Sequence, residues 1–193
     1  TKWLKFSDAE VIPMWIADMD FLCPSEITKP MIQRIDEGVF GYTDTPQSLT
    51  DIFIEKTKSN TGWQIDKDWV VWVPGGVVGL NVACKTVLAP GDMAMVPSPI
   101  YAPFTEAPEN MERGFVKTYL KDLNGRLEFD FDEIGTLLSE DTKLLFLCNP
   151  HNPGGSVFSQ EELIELSRLC EENGVIVCSD EIHSDLVLDE GLK

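Results

Sequence analysis

No apolar run in this sequence is long enough to cross a membrane; the longest are strand-sized and carry Gly, Pro or Asp at their edges. A basic stripe is missing too. Fifteen Lys and Arg stand against 33 Asp and Glu, for a net charge of −18. A field of that sign repels nucleic acid and anionic lipid, so neither is expected as a partner. The charge reads instead as the well-solvated surface of a cytoplasmic protein. The five cysteines (Cys23, Cys84, Cys148, Cys170, Cys178) include no Cys-x-x-Cys pair. Three fall in apolar strand or helix patterns, so they read as buried thiols in a reducing compartment, not as metal ligands or a disulfide framework. The opening "TKWLKFSDAEVIPMW" lacks the basic, apolar and small segments of a signal peptide. It also lacks an initiating Met, which is read as a trimmed start.

What is present is an alternation. The 193 residues suit one large domain, or a domain plus an arm. From Trp69 onward apolar strands alternate with helices: strands are expected at 69–74, 93–99, 114–120, 143–149 and 175–180. A helix is expected over "GGVVGLNVACKTVLA", closed by Pro90 and Gly91, and "YAPFTEAPENM" begins the next crossing. Residues 159–174 predict an amphipathic helix with Ser159 as N-cap, Glu162 completing a capping box, and Gly174 at the C-cap. Near-continuous apolar strands separated by helices indicate an α/β fold, a mostly parallel sheet covered by helices on both faces. Residues 1–45 differ. They are punctuated by Trp and Pro, with a helix expected near 25–38, and read as an arm plus the start of a small domain. Residues 46–193 then form the larger unit.

In open parallel sheets, ligands bind beyond the carboxyl ends of the strands, and the chemically useful residues fall there. Pro74-Gly75-Gly76 follows the first expected strand and opens a helix, whose free N–H groups suit a phosphate; the plainer alternative is a turn. Tyr101, between Pro99 and Pro103, could floor a flat ligand or simply pack as a surface aromatic. Two Asn-Pro steps in "CNPHNPGG" force an extended loop that holds Asn152 for one directed hydrogen bond. Asp180 ends a strand expected to be buried on both faces, where an unpaired carboxylate costs several kcal/mol. It needs a cation, such as a protonated ligand nitrogen, unless it caps a helix or pairs with one of the four arginines (Arg34, Arg113, Arg126, Arg168). His183 lies three residues on, structural or functional. Together these groups describe a ligand with a phosphate, a flat ring, a ring hydroxyl and a basic ring nitrogen: pyridoxal phosphate.

The order "WIADMDF", "GVFGYT", "VPGGVVGL", "SPIYAPF", "LLFLCNPHNPGG", "SDEIHSDL" resembles the class I/II aminotransferase superfamily, the fold type I enzymes that use pyridoxal phosphate. Within it, the match is to cystathionine β-lyase-like C–S lyases. Aminotransferases more often carry Tyr at the position of His183 and Thr-Gly at Gly154-Gly155. The resemblance implies that amides of Gly75, Gly76 and Val77 cradle the phosphate, that Tyr101 stacks on the ring, and that Asn152 bonds the phenolic oxygen. It implies Asp180 on the ring nitrogen and His183 near the phenolic side. Tyr42 would reach the phosphate of a partner subunit, making a homodimer with shared sites, and Ala17 and Asp18 would border the substrate carboxylate. The implied substrate is a small amino acid, and the implied reaction is β-elimination of sulfur from a cysteine-type thioether. Transamination on the same scaffold is the alternative, and a non-catalytic partner that keeps the pocket is the third.

One element of that family's pattern is missing. A lysine in a Ser-x-Ser-Lys-like setting bonds covalently to the cofactor in these enzymes, and none of the eleven lysines here has that setting. Lys85 lies in a helix pattern and Lys193 ends the sequence. About five of an expected seven strands can be counted. The expectation is therefore an N-terminal piece of a longer enzyme, inactive by itself.

Overall fold

The computed structural model describes residues 2–6, 8 and 10–188; Lys193 lies outside them. The chain divides into two compact units, Thr1–Gln47 and Ser48–Lys193. In the first unit, Asp20 organises the start of the chain. It accepts from Lys2 at 2.7 Å and from Trp3 Nε1 at 3.0 Å, and Lys5 sits over the Trp15 ring, 4.0 Å from its centre. Helix α1 (Ser25–Glu37) follows Pro24 and ends where Gly38, at φ 71°, donates to Ile35 O.

The second unit begins with α2 (Gln47–Thr61), then α3 (Gly76–Val87), β1 (Met93–Ser98), α4 (Pro103–Asn110) and β2 (Gly114–Tyr119). A short hairpin, β3 (Lys121–Leu123) and β4 (Arg126–Glu128), turns through Asn124 and Gly125 at φ 59° and 87°. Then come α5 (Phe131–Leu137), β5 (Thr142–Cys148), α6 (Gln160–Glu172) and β6 (Ile176–Asp180). The sheet order is β2-β1-β5-β6, all parallel.

Alternation along β1 and β5 builds two cores. Ala94, Val96, Leu144 and Phe146 meet Leu80, Cys84 and Leu88 around α3, and Phe104 and Ala107 of α4. Met95, Leu145 and Leu147 point the other way, onto Ile134 of α5 and Leu166 and Cys170 of α6. Covering both faces explains why these two strands read as continuous apolar runs.

Two expectations need correction. Residues 69–74 are not a sheet strand: Lys67–Trp69 form a 3-10 turn and residues 70–73 run without pairing. β propensity needs a neighbouring strand to be realised, and none lies beside this stretch among the described residues. Trp72 turns instead to α2, donating to Thr50 Oγ1 at 3.2 Å and meeting Phe53 edge-on. The parallel sheet therefore has four strands among the described residues, not the five expected of this sequence. In addition β6 is the last strand on its side of the sheet among the described residues, with Ile176 and Val177 exposed and Asp180 half-buried, so Asp180 is not sealed between two helix layers among those residues.

The chain order locates the crevice. From β1 the chain moves to β2 on one side, then to β5 on the other, so the winding reverses between β1 and β5. Doubly wound sheets bind ligands at that reversal, beyond the carboxyl ends. The strands also part there. β1 stays in register with β2 to Ser98 and β5 with β6 to Asp180, but the β1–β5 pairing stops at Met95 and Leu145. Pro97, with no N–H to give, falls in the parted stretch.

Candidate active site

The expected site residues of the second unit gather at this end of the sheet. Helix α3 returns to β1 through a tight turn, where Asp92 N–H donates to Ala89 O and Ala89 N–H to the Asp92 carboxylate. Its N-terminus therefore lies where β1 and β5 finish. Gly75 caps it at φ 124°, a backbone shape that favours glycine. No side chain caps the helix, and a Cβ at Gly75 or Gly76 would meet nothing within 4 Å. Against expectation the Gly75 N–H is already taken, by Val73 O at 2.9 Å; past it, the first amide to find a carbonyl is that of Gly79, on Gly75 O at 3.1 Å. Gly76 and Val77 thus open the helix with donors to spare and space in front of them.

Past β1, Ser98 leads through a cis peptide to Pro99 and on to Tyr101, a residue 49% exposed. Past β5, Asn149-Pro150 and Asn152-Pro153 are both cis. The two loops are tied above the parted strands: Tyr101 N–H donates to Asn152 O at 3.1 Å. The Asn152 loop is braced from behind as well. Phe158 N–H donates to Asn149 Oδ1 at 3.1 Å, His151 N–H to Ser156 O at 2.8 Å, and Leu127 N–H of β4 to Ser156 Oγ at 2.9 Å.

Asp180 stands beside the same loop, since Asn149 N–H donates to its carbonyl at 3.0 Å and Cys148 is its register partner. One carboxylate oxygen accepts from Ile182 N–H at 3.0 Å, so the turn after β6 is capped in part as the plainer alternative foresaw. The salt-bridge alternative fails. Arg34 bonds Glu37, Arg113 bonds backbone carbonyls of Leu88 and Met111, Arg126 bonds Glu128 and Glu162, and Arg168 bonds Glu165 and Glu172. Among the described residues no cation pairs with the Asp180 carboxylate. His183 follows the turn, half-buried, its carbonyl accepting from Leu186 N–H at 2.9 Å.

Ala17, Asp18 and Tyr42 belong to the first unit. Asp18 N–H donates to Ile16 O at 3.0 Å, and Tyr42 is fully exposed. The cysteines divide as expected for three of the five: Cys84, Cys148 and Cys170 are buried, Cys178 half-buried and Cys23 exposed. Burial pushes the Cys84 and Cys170 thiols up to about 11. Among the described residues no His, Cys, Asp and Glu cluster suits a metal ion.

His151 is the residue that sequence reasoning passed over. It is 3% exposed, packed edge-on against Phe158, and its Nδ1 accepts from Gly154 N–H at 3.2 Å. The signal was its place between the two Asn-Pro steps, but its burial depends on Leu127 and Phe158 folding over it.

Chemically, spare amides at an uncapped helix suit an anion, the Tyr101 ring suits a flat surface, and the unpaired Asp180 suits a cationic nitrogen. Such an α/β scaffold, with a ligand crevice at its winding reversal, defines the class. The particular family follows from comparison with known proteins: residues 9–192 match the family model Aminotransferase class I and II, and the chain belongs to that family. It is 40% identical to cystathionine beta-lyase PatB of Bacillus subtilis over 192 residues, which is 97% of this chain and 50% of that protein. The solved structure of OvoB superposes with a TM-score of 0.92 at 40% identity, covering 100% of this chain and 51% of that one. The PLP-bound C-S lyase of Staphylococcus hominis superposes at 0.85 with 35% identity, covering 91% and 46%. The fold is thus fold type I of the pyridoxal-phosphate enzymes. The chain spans about half the length of the curated relatives it matches.

Proposed function

We propose that this chain is the cofactor-holding part of a pyridoxal-phosphate-dependent C–S β-lyase. The whole enzyme takes an amino acid with a thioether at Cβ, breaks the Cβ–S bond with uptake of one water, and releases a thiol, pyruvate and ammonia. Supporting the reading is one coincidence. An uncapped glycine helix start, a braced asparagine loop and a carboxylate with no ion pair among the described residues share the crevice end of one sheet, in a chain 40% identical to a cystathionine β-lyase.

Bound pyridoxal phosphate supplies an electron sink that acidifies the substrate's Cα–H and lets the β-sulfur depart. The chain's own residues do the rest. Gly75, Gly76 and Val77 hold the phosphate, Gly76 and Val77 through their free amides and Gly75, whose N–H is bonded to Val73 O, by leaving room for it, with the helix dipole behind them. The Tyr101 ring covers one face of the pyridine, and Asn152 donates to its phenolic oxygen with His183 on the same side. Asp180 keeps the ring nitrogen protonated, because a carboxylate beside it favours the charged form. Ala17 and Asp18 border the substrate carboxylate, and Tyr42 reaches the phosphate of a partner subunit, so the enzyme works as a cytoplasmic homodimer. Residues 1–45 serve as the arm and the start of a small domain, and 46–193 as part of the large cofactor domain. The covalent lysine of the family has no counterpart in this sequence, so the chain alone is expected to turn nothing over.

The test uses a protein of the relatives' full length that contains this chain. Pyruvate should appear from cystathionine without an added keto acid. Amino transfer to a keto acid with no pyruvate would replace the lyase reading by an aminotransferase. Asp180→Asn should lower the pyruvate rate by about 10²-fold or more, as expected for loss of a group that tunes proton transfer; an unchanged rate would remove Asp180 from the ring nitrogen.

A further inference from the structure

Asn152 has two backbone groups and one side-chain amide, and they are used unequally. Its carbonyl accepts from Tyr101 N–H at 3.1 Å. Its N–H turns back to β5 and donates to the Cys148 thiol, 3.4 Å from Sγ. Its side-chain amide bonds to none of the described residues. The other braces of the loop hold its neighbours: Phe158 N–H takes Asn149 Oδ1, and His151 bonds Ser156 O and Gly154 N–H. Two bonds reach Asn152 itself, and one of them ends on sulfur.

Cys148 is the last residue of β5 and the register partner of Asp180. It is 4% exposed and belongs to the core that holds Leu80, Phe104 and Phe146. A thiol suits that place because it packs as a small hydrophobe yet keeps a weak acceptor and a weak donor. Both are in use, since the S–H also donates to Pro150 O at 3.5 Å. Burial raises the Cys148 pKa, the Asn152 bond lowers it in part, and the nearby Asp180 charge raises it again. The thiol therefore keeps at neutral pH the proton that Pro150 O receives. Without the sulfur, the Asn152 N–H would have no partner among the described residues, and an unsatisfied donor away from water is costly.

We propose that Cys148 is a positioning residue for Asn152. Its thiol holds the Asn152 backbone to the end of β5 while Tyr101 N–H holds it to the β1 side, so that the free side-chain amide is presented at a fixed angle. The group that amide meets is the phenolic oxygen of pyridoxal phosphate in the reading above, on which this inference rests. Cys148 itself touches no reacting atom.

The test again uses a protein of the relatives' full length that contains this chain, labelled with nitrogen-15 at asparagine. The Asn152 amide is the NMR signal lost in Asn152→Asp. Slow exchange of that amide is expected, and fast exchange in the wild type would overturn the proposal before any Cys148 variant is made. Cys148→Val fills the space without an acceptor. It should speed Asn152 exchange and weaken pyridoxal phosphate binding, each by about two- to tenfold, the worth of one hydrogen bond. Cys148→Ser, whose hydroxyl both accepts and donates, should keep both close to the wild type. Cys84→Ala removes a thiol from the same core and should lower stability to urea while leaving Asn152 exchange and cofactor affinity unchanged. If Val behaves like the wild type, if Ser behaves like Val, or if Cys84→Ala speeds Asn152 as much as Val does, Cys148 is only core filling and the proposal fails. A wild-type protein that takes up no pyridoxal phosphate sinks the cofactor reading instead, and Asn152 exchange across the same variants then decides for Cys148.

Discussion

Helices α3 and α6 begin in opposite ways. At α6 the chain satisfies itself: Ser159 Oγ accepts from Glu162 N–H at 3.2 Å, and the Glu162 carboxylate accepts from Ser159 N–H at 2.7 Å. Arg126 of the hairpin reaches across to the same carboxylate and to Val157 O. At α3 nothing of the kind exists, only glycines with open space before them. The orphan amides of a helix start have to go somewhere. Where side chains take them, the helix start contributes stability; where glycine leaves them open, it is ready for an anion.

The largest effect that separates the two starts is expected at α3. Gly76→Asp puts a carboxylate where the phosphate would sit, and affinity for pyridoxal phosphate should fall about ten- to hundredfold, the worth of one charge-assisted hydrogen bond. Stability should hold or rise by about 0.3–1 kcal/mol, since an acid suits that end of the dipole. Titration and urea unfolding read the two; unchanged affinity would mean that α3 holds no phosphate.

At α6 the order reverses, with stability moving and affinity not. Arg126→Met removes the cation from a largely buried carboxylate and should cost about 2 kcal/mol in urea unfolding. The same pair predicts a pH effect. Burial raises the Glu162 pKa, but the bonds from Arg126 and the Ser159 backbone outweigh it, so the folded value lies below the ordinary 4.5. A depressed carboxyl stabilises above its unfolded pKa and loses that contribution as pH falls through the folded one. Stability should therefore decline as pH drops below 4.5, and Arg126→Met should flatten the decline. An equally steep decline in the variant would assign it to other carboxylates. Smallest is Ser159→Ala, at about 1 kcal/mol with the cap removed. A loss of cofactor affinity there as large as at Gly76 would erase the distinction between the two starts.

Much of this arrangement is local and could be read from residues alone. The α6 capping box needs only Ser159 and Glu162 three apart, and β1, β5 and β6 announce themselves as apolar runs ended by Pro, Asn or Asp. What escaped depends on neighbours distant in sequence. Residues 69–74 have the composition of a strand but lack a partner, and Asp180 lies on an edge because no further strand pairs with β6 among the described residues. The β3–β4 hairpin did carry a local sign, Asn124-Gly125, a pair suited to positive φ at both turn positions. Its consequence was not local: Leu127 and Arg126 brace a loop some thirty residues on. His151 escaped for the same reason. Its chemistry depends on a wall built by the hairpin and Phe158.

The cysteines give the second unit an internal gauge. Cys84 belongs to the core between the sheet and α3–α4, and Cys170 to the core under α5–α6. Burial holds both thiols protonated up to about 11, and an alkylating reagent attacks the thiolate. Exposed Cys23 should be modified first. After that, pulsed alkylation read by mass spectrometry would time the opening of each face separately. Two cysteines on opposite sides of one sheet act as two clocks, and their relative rates would tell whether the layers come apart together or in turn.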